Sequence, residues 1–182
     1  ANGLKILSQA RAGIPGGLRL SYATLGAFTK YPKGSLPIKP SSHVADKKYG
    51  YFDLQKQFFA EVAQELGLQK EDGTYHRHPL AFLVEAADDI CYTLIDFEDG
   101  INLGLISEEY ALEYLINLVK DSINRKKYNA LEHTSDRVAY LRALSINTLI
   151  NDAVAIFLEN ESAILEGTFS TSIMKISKYK AQ

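Results

Sequence analysis

An all-α fold is predicted by three features of the sequence. Long segments carry apolar residues at helical spacing, above all residues 80–100 and 136–165. Residues that start and stop helices stand at the ends of such segments. No convincing alternating strand, internal repeat or low-complexity tract occurs anywhere in the chain.

The elements follow in order. Residues 1–11 read as a short helix, closed by AGIPGG at 12–17, where glycine and proline punctuate. LRLSYATLGAFTK has helical spacing through Leu18, Tyr22, Leu25 and Phe28, and Pro32 after Tyr31 ends it. Residues 32–50 carry three of the five prolines and read as a loop. A loop of that length inside a domain is more often functional than accidental. Asp53 is a candidate N-cap for FDLQKQFFAEVAQELGL, which Gly67 closes. Pro79 suits the first turn of the 80–100 helix, and Gly100 or Gly104 ends it. Ser107, Glu108 and Glu109 cap ALEYLINLVKDSI with acids at its positive end. Residues 136–165 read as one long helix, and the tail from Gly167 is ambiguous.

With 182 residues, 46% hydrophobic and 23% charged, the chain has the composition of one ordinary globular domain. One cysteine, Cys91, excludes a disulfide framework and a cysteine-based zinc site, and points to a reducing compartment such as the cytoplasm. No uninterrupted apolar run approaches the roughly 20 residues of a membrane span, and no signal-peptide pattern opens the chain, so no membrane partner is expected. Ala1 already stands inside a helical pattern, which leads us to expect a piece of a longer protein.

The net charge of −2 conceals an asymmetry. Up to Lys48 there are eight basic residues (Lys5, Arg11, Arg19, Lys30, Lys33, Lys39, Lys47, Lys48) and one acid, Asp46. From His78 to Val119 there are nine acids and neither lysine nor arginine. The first stretch suits polyanions such as phosphates, and the second suits cations. Each is equally well read as a solvated face.

The acids of the 80–100 helix are ordered. At about 100° per residue, Asp88, Tyr92, Asp96 and Asp99 fall within roughly 80° of arc. Glu85 shares that sector, and Asp89 lies at its edge. Leu83, Ile90, Cys91, Leu94 and Phe97 take the opposite side, which makes Cys91 a core thiol. Like charges one turn apart cost a few tenths of a kcal/mol each. Solvent, distant basic residues or a metal must offset them. A tyrosine between two aspartates adds a flat surface for a sugar or base and a hydroxyl. A solvated face and a binding site both remain open on pattern alone.

The run HPLAFLVEAADDICYTLIDFEDG resembles the hallmark segment of the bacterial deoxyguanosine triphosphate triphosphohydrolase family, within the HD-domain phosphohydrolases. ANGLKIL resembles the end of the helix after that family's His-Asp motif. GGLRLSYATLGAFTKYP is similar to its KYP segment, and KKYGYF to its lysine-containing loop. These blocks keep the family's order over residues 1–100, and the likeness weakens beyond about residue 130. The resemblance implies hydrolysis of a deoxynucleoside triphosphate, dGTP by the family's name, to the deoxynucleoside and inorganic triphosphate. It implies a divalent metal, Mg or Mn, with Asp88 as one ligand. It implies that Tyr92 packs beside the deoxyribose and that Asp96 accepts the 3′-hydroxyl. Lys30, Tyr31 and Lys48 become triphosphate contacts. The whole chain, 1–182, is then an all-α portion of an HD-type catalytic bundle, with 32–50 a substrate-facing loop and 80–100 the site-bearing helix. Relatives form homo-oligomers, and some respond to single-stranded DNA or nucleotide effectors.

One departure bears on the metal. The four histidines are His43, His76, His78 and His133, and none precedes an aspartate. The family's early His and its His-Asp pair are therefore absent, and the metal site expected within this chain is incomplete. The chain by itself is expected to be inactive. The alternative is a non-catalytic helical module that keeps a nucleotide-binding or regulatory role.

Smaller candidates have two readings each. Arg77 suits either a phosphate or its own neighbours. Arg137 and Arg142, on the long helix near Tyr140, suit either substrate or solvent. His78 suits a hydrogen bond at the helix start better than metal ligation. GIPGG lacks the Lys-Ser/Thr ending of a phosphate loop and reads as a turn. The basic stretch from Lys30 to Lys48 has few interleaved aromatics, a weak pattern for single-stranded nucleic acid.

Overall fold

The computed structural model of the protein describes residues 1–10, 13, 18–35, 44–46 and 48–180. Most of the expected 12–17 turn, the middle of the 32–50 loop, and Arg11, Lys39, His43 and Lys47 lie outside the described residues. Among the described residues the architecture is all-α. The helices are α1 (Asn2–Ser8), α2 (Tyr22–Phe28), α3 (Lys56–Glu65), α4 (Ala81–Asn102), α5 (Glu108–Val119), α6 (Arg125–Asn129), α7 (Thr134–Glu159), α8 (Glu161–Leu165) and α9 (Ile173–Ile176). Two isolated bridges, Gly34 with Tyr51 and Gln69 with Tyr75, are the extended pairings described.

Local chemistry accounts for the boundaries, with several corrections to the sequence reading. α2 begins at Tyr22, not Leu18, because Arg19 has φ 51, a left-handed backbone that a right-handed helix excludes. Ser21 caps α2, its side chain accepting from the Thr24 amide. Asp53 does not cap α3. It heads a 3-10 turn, Asp53–Gln55, and α3 starts at Lys56 without a side-chain cap. Gly67 closes α3 at φ 64, as expected. Ser107 caps α5 by accepting from the Tyr110 amide. The expected 136–165 helix is interrupted at Asn160, dividing it into α7 and α8. α6 was not anticipated; the Asn124 side chain caps it by accepting from the Lys127 amide.

The chain separates into two compact units, a division that no linker in the sequence marks. The first comprises residues 1–85 and 159–173. Its core gathers Leu4, Leu25, Tyr51, Phe59, Val62, Ala63 and Leu68. The Tyr51 ring stacks on Phe59 at 4.6 Å, and Tyr75 meets Phe59 edge-on at 5.3 Å. Burial pushes the Tyr51 phenol up to about 12, so it stays neutral. Phe82 and Phe169 form a second edge-to-face contact at 5.3 Å.

The second unit comprises residues 86–158 and 174–182. Ala86, Ile90 and Leu94 form the buried stripe of α4 there, and Ala111, Leu115, Leu118 and Val119 that of α5. Val138, Leu141, Ser145, Leu149, Ala153 and Ile156 line the buried side of α7. By length and composition α7 is apolar enough to cross a membrane, which a search for an uninterrupted apolar run does not detect. Two of its charged residues are paired within the unit. Arg142 pairs with Glu98, and Asp152 accepts from Ser177 Oγ at 2.6 Å with Lys178 Nζ at 3.8 Å.

Candidate functional site

In the first unit the structure brings Lys30, Tyr31, Lys48 and Arg77 together. The Lys30–Tyr31 segment leaves α2 at Thr29, which is buried and whose Oγ1 donates to the Leu25 carbonyl at 2.8 Å. The Lys33 amide donates to the Tyr31 carbonyl at 2.8 Å, and the Gly50 amide to the Lys33 carbonyl at 2.9 Å. The KYGYF stretch thus lies directly on the KYP turn. Lys48 Nζ stands 5.9 Å from the centre of the Tyr31 ring, within cation–π range.

Arg77 anchors this segment from beneath. Only 4% of it is exposed. Its Nε donates to the Lys30 carbonyl at 2.6 Å, and Nη1 donates to Glu85 Oε2 at 2.7 Å. The guanidinium lies between two rings, 5.6 Å from Tyr31 and 4.7 Å from Phe82. Burial of both ions makes this pair one whose loss on one side costs about 3–5 kcal/mol, because the partner is left charged and dry. Arg77 thereby serves its neighbours, and its only described ionic partner is Glu85.

Glu85 consequently departs from the expectation that it belongs to the solvated or ligand-facing acids. It is buried near the start of α4, beside Ala81, Phe82 and Ala86, and it is charge-balanced. Glu98 is likewise balanced by Arg142. Distant or sequence-near basic residues therefore offset two of the acids that the sequence left uncompensated.

In the second unit the remaining acids keep the face the sequence predicts. Asp88 is half-buried, while Asp89, Asp96 and Asp99 are exposed. Tyr92 is 66% exposed, which leaves its ring face accessible. The opposite face, through Ala86, Ile90 and Leu94, is buried. Cys91 corrects the sequence reading: it is exposed, because its position lies just off the narrow buried stripe. Among the described residues no three of His, Cys, Asp and Glu come together in a group that could hold a metal ion. The described residues therefore do not fit a complete divalent site, since a hard cation takes six or more oxygen ligands or several waters.

Arg137 and Arg142 are occupied elsewhere in the second unit. Arg137 Nε donates to the Leu131 carbonyl at 2.9 Å, and its guanidinium lies 5.7 Å from the Tyr128 ring. Arg142 pairs with Glu98. His78 accepts from the Leu80 amide through Nδ1 at 3.2 Å, the helix-start role expected for it. Burial lowers its pKa. Sequence reasoning missed Gly50 and Glu85 as parts of the site's support. The juxtaposed blocks KYP and KYGYF were the available signal for Gly50.

Three comparisons bear on this arrangement. A Synechocystis protein named "deoxyguanosinetriphosphate triphosphohydrolase-like protein" is 36% identical over 192 aligned positions, covering the whole of this chain and 42% of the relative. One of the same name from Pseudomonas aeruginosa is 32% identical, covering 96% of this chain and 40% of the relative. A third, from Yersinia pestis and named deoxyguanosinetriphosphate triphosphohydrolase, is 28% identical, with coverage of 88% and 34%. No family model matches the chain. The chain spans less than half the length of these curated relatives, yet nearly all of it aligns with each of them. On that similarity, it belongs to the deoxyguanosinetriphosphate triphosphohydrolase-like family.

Proposed function

We propose that this chain is the part of a deoxynucleoside triphosphate triphosphohydrolase that grips the sugar and the triphosphate of dGTP. The observation that carries this reading is the row Asp88, Tyr92 and Asp96, half-buried at the first residue and exposed at the other two, on a helix whose other face is buried. A carboxylate, a flat phenol and a second carboxylate at successive turns match what a deoxyribose offers: an apolar ring surface and one hydroxyl that donates. Tyr92 packs beside the sugar, and Asp96 accepts from the 3′-hydroxyl. Lys30 and Lys48 neutralise charge on the triphosphate, and the Tyr31 hydroxyl donates to it, as water attacks the α-phosphorus and the 5′-oxygen leaves with a proton.

Among the described residues, Asp88 is the ligand that would be offered to a divalent ion such as Mg or Mn. Such an ion, when bound, would polarise the α-phosphate and acidify a water. Its other ligands would have to come from outside the described residues. The reading further places the protein in the cytoplasm, as an exposed and unpaired Cys91 suits a reducing compartment. The exposed stripe Ile150, Val154 and Leu158 on α7 supports a homo-oligomer. Paired ions on the same helix argue against a bilayer around it. Single-stranded DNA or a nucleotide effector is a further partner of this reading.

The test is product analysis with dGTP, the full-length protein and Mn. Deoxyguanosine and inorganic triphosphate in equal amounts are expected. Release of orthophosphate or pyrophosphate would overturn the reaction type. Tight dGTP binding without turnover would replace the enzyme with a nucleotide-binding module.

A further inference from the structure

We propose that Arg77 is a positioning residue, holding the Lys30–Tyr31 backbone in the place from which those side chains meet the triphosphate. The proposal rests on the reading that Lys30 and Tyr31 contact substrate. Arg77 itself is too deeply buried to reach a ligand in solution, and its Nη1 is already committed to Glu85. What it does touch is the segment that carries the two candidate contacts. Nε takes the Lys30 carbonyl at 2.6 Å, while the guanidinium plane lies 5.6 Å from the Tyr31 ring. From the other side the Lys33 amide holds the Tyr31 carbonyl at 2.8 Å. Two consecutive residues are thus fixed at their backbone.

Geometry explains why arginine stands here. One planar fork makes two divergent hydrogen bonds and meets a ring on each side, which a lysine ammonium cannot do. The fork is also incompletely satisfied: Nη2 is buried without a hydrogen-bonding partner. An orphaned buried donor is a cost, and proteins retain such costs mainly where function fixes the geometry. Glu85 then has a distinct part. It sits in the first turns of α4 and fixes the guanidinium's orientation, so Arg77 ties the Lys30–Tyr31 turn to that helix start.

A double-mutant cycle in the full-length protein tests this, with kcat/KM for dGTP as one readout. Lys30→Ala should lower kcat/KM by about ten- to hundredfold, the usual cost of a charge-assisted contact. The paired change Arg77→Gln with Glu85→Gln leaves no buried charge and should lower it by about tenfold or more. Added to Lys30→Ala, the paired change should cost clearly less than it does in the wild type, because Lys30 is one of the two contacts it positions and only Tyr31 is left to displace. Amide exchange should quicken in residues 29–34 of the paired variant and stay unchanged in α5. Costs that multiply fully, or wild-type kcat/KM in the paired variant, would overturn the positioning role. Wild-type kinetics in Lys30→Ala would instead sink the substrate reading, leaving Arg77 no contact to position. Should the paired variant not fold, Arg77→Lys replaces it; a tenfold loss supports the proposal and wild-type kcat/KM ends it.

Discussion

Gly50 backs onto the carbonyl oxygen of Tyr31 so closely that a Cβ there would lie 2.2 Å from it. The obstacle is backbone, which cannot swing aside, and Thr29 Cγ2 at 2.5 Å closes the other side. Gly50 is therefore required by the packing of KYGYF on KYP. Gly50→Ala should destabilise the protein by about 1–3 kcal/mol, as overpacking does elsewhere. Urea unfolding checks this; an unchanged midpoint would mean that the two segments do not pack so tightly.

Asp88 and Asp96 share a face but should fail differently. In the full-length protein Asp88→Ala should abolish turnover and lower bound Mn, whereas Asp96→Ala should keep the metal. The second change should raise KM and erase discrimination against analogues lacking the 3′-hydroxyl. Stability should move by less than about 0.5 kcal/mol in Asp96→Ala, since its side chain is exposed. Metal analysis beside thermal unfolding decides between the two roles. Full metal content in Asp88→Ala would return the acidic face to solvent.

The 182-residue chain tested alone should hydrolyse no dGTP and bind Mn weakly. Its described residues bring no three candidate metal ligands together, and a hard cation needs more fixed oxygens than one carboxylate provides. Electron paramagnetic resonance titration with Mn, run beside a turnover assay, checks both statements. Measurable turnover would mean that another site does the chemistry.

His78 should give the fold a pH dependence of known sign. Burial depresses its folded-state pKa below the ordinary value near 6.5. As pH falls through about 6.5 the unfolded chain takes a proton that the folded one refuses, so stability is lost on the acid side. The loss levels off once folded His78 is itself protonated, and protonation at Nδ1 also removes the acceptor for the Leu80 amide. His78→Asn keeps an acceptor and does not titrate. Between pH 7.5 and 5.5 its melting temperature should fall less than that of the wild type; equal falls would remove His78 from the account.

Much of this was legible in the sequence, for a physical reason. Helix periodicity, the Ser107 cap, the Gly67 stop and the acidic row from Asp88 to Asp99 depend on residues within about one turn of each other. Such local geometry is written in the order of the residues. Arg19 was the local exception, since a left-handed arginine carries no composition signal.

Tertiary structure decided which positions on each helix are covered, because burial depends on what arrives from elsewhere in the chain. Glu85 and Asp88 stand less than one turn apart on α4, yet Arg77 makes Glu85 an internal ion pair while Asp96 and Asp99 meet solvent. Cys91 was exposed because the buried stripe of Ala86, Ile90 and Leu94 proved narrower than the apolar pattern suggested. Gly50 under Tyr31, and Lys48 over the Tyr31 ring, are contacts across 17 to 19 residues of chain. No periodicity encodes a contact of that kind; it exists only once the intervening chain has folded back and the two backbones meet.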